Sequence, residues 1–496
     1  MYCGYAYLAR NCCRSAFPPR VGARVDHSVS RITRKAYELL VPASSAPTGD
    51  CILSHALFAL RHEGLNLQIL AEVLPKVPAQ EIHAAAALKP NSVSVRRLAY
   101  LWERFTGGAL EDVHPAGRYV GLFDPDRYWT APGERNRKWR VEFNGLGSFE
   151  WCATVEKTEA LLAAAERDVL GSAAKWFSQM GDYTADRTLG WAYLSETKNS
   201  FALERESVSE SKAERFARLL RHAHERRDLT EEYLCELQNE IVSNPFSQAF
   251  SWRTQQNWLG TGGHGVLAVR YVPPSPELLD QLMPGWLAAA NALPTLTDPL
   301  IAAAVISFGF VYLHPFMDGN GRLSRFLIHQ QLGRSGRLAP GQLLPVSVAM
   351  QKHEDRYLRA LTAFSAPARS AWEVTQTGND GEYECVFKGS ESMYRYWQAT
   401  EQTEFLFDMA EEALHVHLRQ EELYLRRFDR LDAAVNGAFD LVQKDRHALV
   451  NAFLAHGRIS LNFRKKFSNR IPPETFDWLE ANSAHLLEPM PEDAQT

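Results

Sequence analysis

Apolar and polar residues along this 496-residue chain follow two different periods. Between about residues 30 and 110, apolar positions recur every three to four residues in "LSHALFALRHEG", "LNLQILAEVLPKV" and "VSVRRLAYLWERF". That spacing predicts helices, the first two separated by glycine and the third following a Pro-Asn-Ser stop. Three short helices fit a small bundle, and they also fit a helix-turn-helix-like unit for DNA; the bundle is the simpler of the two. From about 117 to 155 the period shortens to two. "WRVEFNGLGSFEWCATVE" alternates around Asn144-Gly145, which predicts a β-hairpin turning on that dipeptide. Helical spacing returns from roughly 157 to 380, broken by the glycine-rich "NWLGTGGHG". From about 390 a long amphipathic stretch, "TEFLFDMAEEALHVHLRQEELYLRRFDRL", precedes a basic segment, "HGRISLNFRKKFSNR", and a short closing helix. The pattern gives a mainly α chain in four stretches. These are an N-terminal helical region over 1–115, a β-hairpin-containing insert over 116–156, a helical core over 157–385, and a helical, winged-helix-like region over 386–496.

One segment departs from amphipathic patterning. Asp298-Pro299 makes a good helix start, with a capping side chain and proline at the first helical position. The run that follows, to Leu313, has no polar face and must be buried on all sides. His314-Pro315 closes it, because the residue before proline is pushed out of helical geometry. "GRLSRFLIHQQLG" then resumes helical spacing and is expected to stop at Gly333. Between the two helices lies a tight polar loop, "HPFMDGNGRLSR", His314 to Arg325.

Composition narrows the setting without explaining the loop. The hydrophobic share of 45% and charged share of 23% are those of ordinary globular proteins. A net charge of -5 exerts no overall pull on nucleic acid or anionic membrane. Cys3, Cys12, Cys13, Cys51, Cys152, Cys235 and Cys385 form no CxxC pair, which speaks against a disulfide framework or zinc knuckle and for a reducing, cytoplasmic setting. Neither a signal peptide nor a membrane-spanning run is read.

The loop's residue types suit phosphate chemistry. Unpaired N–H groups at a helix start, together with the helix dipole, favour an anion. Gly319 and Gly321 clear side chains from its path. Arg322 and Arg325, three apart on one face, reach the same phosphate chain. Asp318 is placed to hold Mg²⁺ between phosphates. His314 is the type that takes a proton near neutral pH. A polar turn with a satisfied histidine would have to explain all of these at once. A Walker-type loop is excluded, since there is no lysine and the stretch follows a helix; a His314–Asp318 zinc site lacks a third ligand.

His314 to Arg325 matches in full the signature of the Fic family, His-Pro-Phe-x-Asp/Glu-Gly-Asn-Gly-Arg-x-x-Arg. "FSWRTQQNWLGTGG" resembles the family's flap region, "RYVPPSPELLDQLM" its continuation, and "PVSVAMQKHEDRYLRAL" the helix closing the nucleotide pocket. The resemblance implies a helical Fic core with a β-hairpin flap, acting as a protein adenylyltransferase. His314 would be the general base for a Ser, Thr or Tyr hydroxyl that attacks the α-phosphate of ATP. Asp318 would hold Mg²⁺. Gly319, Asn320 and Gly321 would form the anion hole, Arg322 and Arg325 would clamp the outer phosphates, and Tyr357 would contact the nucleoside. Trp258 and Leu259 of the flap would register the target's backbone. ATP and an unknown protein target are the implied partners, with self-modification and a homodimer compatible with the likeness.

"SETKNSFALERESVSE" resembles the family's inhibitory motif, Ser/Thr-x-x-x-Glu-Gly/Asn. Ser200 to Glu204 fits, whereas Arg205 stands where Gly or Asn is expected. Glu204 would then compete with the γ-phosphate for Arg325. In some relatives the matching glutamate also directs removal of AMP, so removal stands as the alternative activity, and a DNA-binding or scaffold protein with a locked core as another. Weaker signals read as structural: Asp408, Glu411 and His415 as a wet helix face, the His222/His224 and His415/His417 pairs as divergent, His264 as part of a mobile flap, and Arg464, Lys465, Lys466 and Arg470 as a solvated charge run.

Overall fold

The structure, a computed structural model, describes all residues except 15, 36, 207–208, 243, 261–264, 379–381 and 488–496. It is mainly α-helical with small sheets. The N-terminal part is less helical than its spacing suggests. Strand β1 (Tyr2–Cys3) leads into helix α1 (Gly4–Asn11), and β2 (Gly22–Val25), β3 (Thr33–Lys35) and β4 (Glu38–Val41) complete a sheet of order β1-β2-β4-β3. Strands of two to four residues are too short for alternation to register as a period. Helices then appear where the apolar spacing placed them: α2 (Ile52–His62), α3 (Leu67–Val73), α4 (Ala79–Leu88) and α5 (Val93–Thr106).

The insert corrects the hairpin expectation. β5 (Val120–Gly121), β6 (Glu134–Asn136) and β7 (Val141–Phe143) form one sheet. β8 (Leu146–Gly147) and β9 (Cys152–Thr154) belong to another, which β14 (Tyr396–Gln398) joins in parallel with β9. Asn144-Gly145 therefore links two sheets and closes no hairpin. The reason is tertiary. Asn144 accepts from Phe123 N (2.8 Å) and donates to Phe123 O (3.0 Å). A Cβ on Gly145 would come within 2.6 Å of the Phe123 ring and 2.7 Å of Cys152 Sγ. Both residues serve close packing, not a turn.

The central region comprises α6 (Glu159–Glu166), α7 (Val169–Gln179), α8 (Asp182–Leu203), α9 (Glu210–Arg221), α10 (Glu231–Ile241), the short strands β10 (Leu259–Gly260) and β11 (Val269–Tyr271), α11 (Pro276–Leu296), α12 (Pro299–Leu313), α13 (Asn320–Arg334), α14 (Val346–Lys352) and α15 (Glu354–Arg369). A hairpin of β12 (Trp372–Gln376) and β13 (Tyr383–Phe387), not anticipated from the spacing, follows. After α16 (Ser392–Arg395), α17 (Thr400–Glu412) runs through a π-helical turn, Ala413–Leu418, into α18 (Arg419–Ala438). Its residues Phe405 to Leu418 pack in the same core as α12. A separate apolar cluster, from Phe428 to Leu479, joins α18 to α19 (Gln443–His456), α20 (Leu461–Phe467) and α21 (Pro473–Leu486).

α12 is the post on which this core is built. Asp298 accepts from Leu300 N (2.8 Å) and Ile301 N (3.3 Å), and every residue of the helix but Pro299 and Val311 is buried. Each fully buried Leu, Ile, Val or Phe contributes roughly 1.5–3 kcal/mol, so the loop at its end has a rigid mount. Gly309 admits the Trp151 ring, which would lie 2.5 Å from a Cβ there. α13 runs to Arg334; Gly333 stays inside it, pressed against Ala223 O, and the left-handed glycine that follows is Gly336.

Candidate active site

The loop between α12 and α13 is held from both ends. His314 leaves α12 in left-handed geometry (φ 51°), and Gly319 enters α13 at φ 86°, where a Cβ would meet Val242 Cγ2 at 2.9 Å. Asn320, expected in the anion hole, spends its side chain on the loop itself: Oδ1 accepts from Phe316 N (3.0 Å) and Nδ2 donates to Phe316 O (2.7 Å). Residues the sequence reading passed over brace the loop from outside. Arg253, 5% exposed, donates from its N to Pro315 O (2.8 Å) and from Nε to His314 O (2.9 Å). Gln238 Nε2 donates to Asp318 O (3.1 Å) and Ser247 O (2.9 Å). Arg253 lies inside the flap-like stretch but is given no role there, and Gln238 lies in none of the stretches singled out.

His314 is buried, and its Nδ1 lies 3.2 Å from Val311 O. A proton on Nδ1 satisfies that carbonyl and leaves the Nε2 lone pair as the acceptor. Burial pushes the imidazole down to about 4, with Arg253 adding to the shift and the Val311 carbonyl, Glu204 and Asp318 opposing it. The ring is therefore neutral at physiological pH and ready to take a proton.

The two arginines are buried, at 3% and 1% exposed, and each is already engaged. Arg325 donates from Nε to Ser200 Oγ (2.8 Å), from Nη2 to Ser200 O (2.6 Å) and to Glu204 Oε1 (2.8 Å), and from Nη1 to Tyr357 Oη (3.3 Å). Arg322 donates from Nη1 to Glu206 Oε2 (3.0 Å) and from Nη2 to Asp318 Oδ1 (3.2 Å); its buried Nε has no hydrogen-bond partner among the described residues. Glu204 closes α8, and its carboxylate lies against Gly321: a Cβ there would sit 2.1 Å from Glu204 Oε1. The carboxylate thus occupies the space over the first turn of α13, where unpaired N–H groups favour an anion. Arg205, the departure from the inhibitory motif, adopts φ 57°, the left-handed geometry for which Gly and Asn are the usual choices.

Asp318 Oδ1 also accepts from Gly319 N (2.6 Å), and the side chain is 45% exposed. Among the described residues no group of three or more His, Cys, Asp or Glu side chains is arranged to hold a metal. One accessible carboxylate beside a phosphate cradle still suits Mg²⁺, which takes one or two carboxylates and completes its shell from phosphate and water.

Tyr357 is buried beside Arg325 and lines, with Ser307, Phe308 and Met350, a narrow crevice of about 10 Å³. Leu259 sits on β10, paired antiparallel with β11, and the Trp258 ring packs edge-on against Tyr383 of β13 at 4.9 Å. The segment expected to be the flap is thus tied to the unanticipated hairpin; His264 lies outside the described residues. Asp408 pairs with Arg356 and Glu411 with Arg167, as a solvated helix face would. His222 pairs with Glu225, whereas His224 meets Gln342 O and His417 meets Glu412, so neither close pair converges on one ligand. Arg464 pairs with Asp477 and Glu480, and Arg470 with Asp445, which ties two of the four basic residues into the C-terminal bundle.

Comparison with known proteins places this geometry in context. The model of the Fic/DOC family matches residues 228–332. Protein adenylyltransferase Fic of Nematostella vectensis is 37% identical over 95 residues, 18% of this chain and 20% of that protein. Protein adenylyltransferase fic-1 of Caenorhabditis elegans is 30% identical over 130 residues, 26% of this chain and 23% of that protein. The chain spans about a fifth to a quarter of the length of these curated relatives. Among solved structures, a Fic family protein from Desulfovibrio desulfuricans overlaps 66% of this chain and 89% of its own, at a TM-score of 0.38 and 16% identity. Fic-1 of Caenorhabditis elegans overlaps 64% and 86%, at 0.31 and 17%. With its full loop signature inside the matched segment, the chain carries over residues 228–332 a domain of the Fic/DOC family.

Proposed function

We propose that the chain transfers AMP from ATP to a hydroxyl of a target protein, and that Glu204 restrains the reaction. The observation that carries this reading is a neutral histidine, its Nδ1 set against Val311 O, on one lip of a loop whose other lip is a helix N-terminus flanked by two buried arginines. His314 Nε2 accepts the hydroxyl proton as the oxygen forms its bond to the α-phosphorus. The bond from that phosphorus to the bridging oxygen breaks, and pyrophosphate leaves. The N–H groups of the first turn of α13, with Arg322 and Arg325, stabilise the charge that gathers on the phosphate oxygens. Mg²⁺, held by Asp318 and phosphate oxygens, would supply further charge neutralisation there. Tyr357 would bound the nucleoside side, and Trp258 and Leu259 would present the target along the edge of β10.

Autoinhibition is supported by the Glu204–Arg325 pair at 2.8 Å and by the carboxylate's place over Gly321. The same placement supports a second reading, in which Glu204 directs a water that removes AMP from modified protein. The cysteines, all free thiols, support a reducing, cytoplasmic setting; among the described residues no helix is long and apolar enough to cross a membrane.

The test is transfer of label from α-phosphate-labelled ATP with Mg²⁺ by wild type, Glu204→Gly and His314→Ala, alone and with cell lysate. Label should rise in Glu204→Gly and disappear in His314→Ala. A silent Glu204→Gly variant would remove the support for transfer from ATP. Release of AMP from pre-labelled protein by wild type, lost in Glu204→Gly, would favour removal.

A further inference from the structure

The turn after α8 brings a second carboxylate to the phosphate clamp. Arg205 N donates to Ala202 O (2.9 Å) and Glu206 N to Phe201 O (3.1 Å), with Arg205 left-handed. This is the paired closure of a Schellman motif, which locks the last residues of a helix into one geometry. It sets Glu204 and Glu206 on one turn. Glu204 takes Arg325 at 2.8 Å, and Glu206 takes Arg322 at 3.0 Å. The guanidinium groups are buried while the two carboxylates are 35% and 39% exposed, so the acids can swing out and the arginines cannot. Asp318 also touches Arg322, but from within the loop, where it remains when α8 withdraws.

We propose that Glu206 is a second inhibitory carboxylate, competing with the phosphate chain for Arg322 as Glu204 competes for Arg325. The proposal rests on the AMP-transfer reading. Formally, two arginines facing Glu204, Glu206 and Asp318 leave the cradle with one net negative charge, which opposes a polyphosphate. Withdrawal of the turn leaves one net positive charge. The two acids also differ in the phosphate they exclude. On that reading Arg325 would take the outermost phosphate of ATP, and Glu204, paired with it, would exclude that phosphate. Arg322, beside Asp318 at the loop, would then be left for the phosphate before it, which Glu206 would exclude. A nucleoside diphosphate escapes Glu204 and still meets Glu206, and a monophosphate meets neither. This distribution separates Glu206 from a general stabilising role, which would move all three ligands alike.

The experiment is calorimetric titration of ATP, ADP and AMP, each with Mg²⁺, into wild type, Glu204→Gly, Glu206→Gln and the double variant. Glu206→Gln is expected to tighten ADP by about tenfold or more while AMP stays within about twofold. Glu204→Gly is expected to tighten ATP and leave ADP within about threefold, and the double variant to bind ATP tighter than either single one. ADP affinity unchanged in Glu206→Gln, with AMP still bound, overturns the second brake alone. Failure of all four proteins to bind any nucleotide overturns the AMP-transfer reading and this proposal with it.

Discussion

At the scale of single residues, the site depends on environments that shift ordinary chemistry. A histidine in water is half protonated near 6.5, whereas burial pushes His314, with Nδ1 3.2 Å from Val311 O, down to about 4. The neutral ring is favoured in the folded state, so the unfolded chain binds more protons between those two values. Stability from this group is therefore fully present above 6.5 and is lost as pH falls from 6.5 toward 4. The same shift sets the rate profile. Label transfer by Glu204→Gly should stay flat from about pH 8 to about pH 5.5 and fall only on approach to about pH 4. An imidazole titration of His314 near 6.5, followed by NMR in the folded protein, would refute the assignment. Asn320 teaches a related point: its type was legible, but the bonds of its side chain to Phe316 were not.

At the scale of elements, the turn that closes α8 is strained where the resembled motif is not. Left-handed geometry costs an L-residue roughly 1–2 kcal/mol, which Gly avoids. Arg205 accepts that geometry, so the turn carrying Glu204 and Glu206 is held less firmly than a glycine would hold it. Arg205→Gly should therefore tighten the restraint by about 1 kcal/mol and lower basal labelling by about fivefold, partly offset by the freer unfolded chain. Labelling by otherwise wild-type protein is the readout, and an increase would contradict the role given to this turn. α12 shows the opposite case, where every local signal agrees: a capping Asp298, Pro299 at the first position, an unbroken apolar run, and a stop at His314.

At the scale of the molecule, α8 is fixed to the core by a buried group remote from the loop. Glu196 on α8 accepts from Ser347 N (2.7 Å) and Ser347 Oγ (2.6 Å) at the start of α14, and its Oε1 lies 2.8 Å from His329 Nε2 on α13. All three side chains are buried. Glu196→Ala would strand those partners, each costing about 1–3 kcal/mol, and the loss should fall on the seating of α8. Hydrogen exchange should speed up in α8 well before α12, and basal labelling should rise. Equal acceleration in α12 would mean a general loss of stability and would sink the tether.

The chain's pattern by itself determined the helices around the site, the rigid post and the position of the polar loop between them, because these are written in contiguous residues whose spacing and capping agree. It also marked Glu204, through a local motif. Short strands escaped it, since two to four residues hold too little periodicity, and Asn144-Gly145 misled it, since its turn chemistry was overridden by packing against Phe123. What only the tertiary structure decided are the meetings of residues far apart in sequence: Arg253 and Gln238 bracing the loop, Glu196 joining α13 and α14, and Glu206 reaching Arg322 across 116 positions. No pattern along a chain encodes such contacts, because they arise from how whole elements pack and not from the order of residues within any one of them.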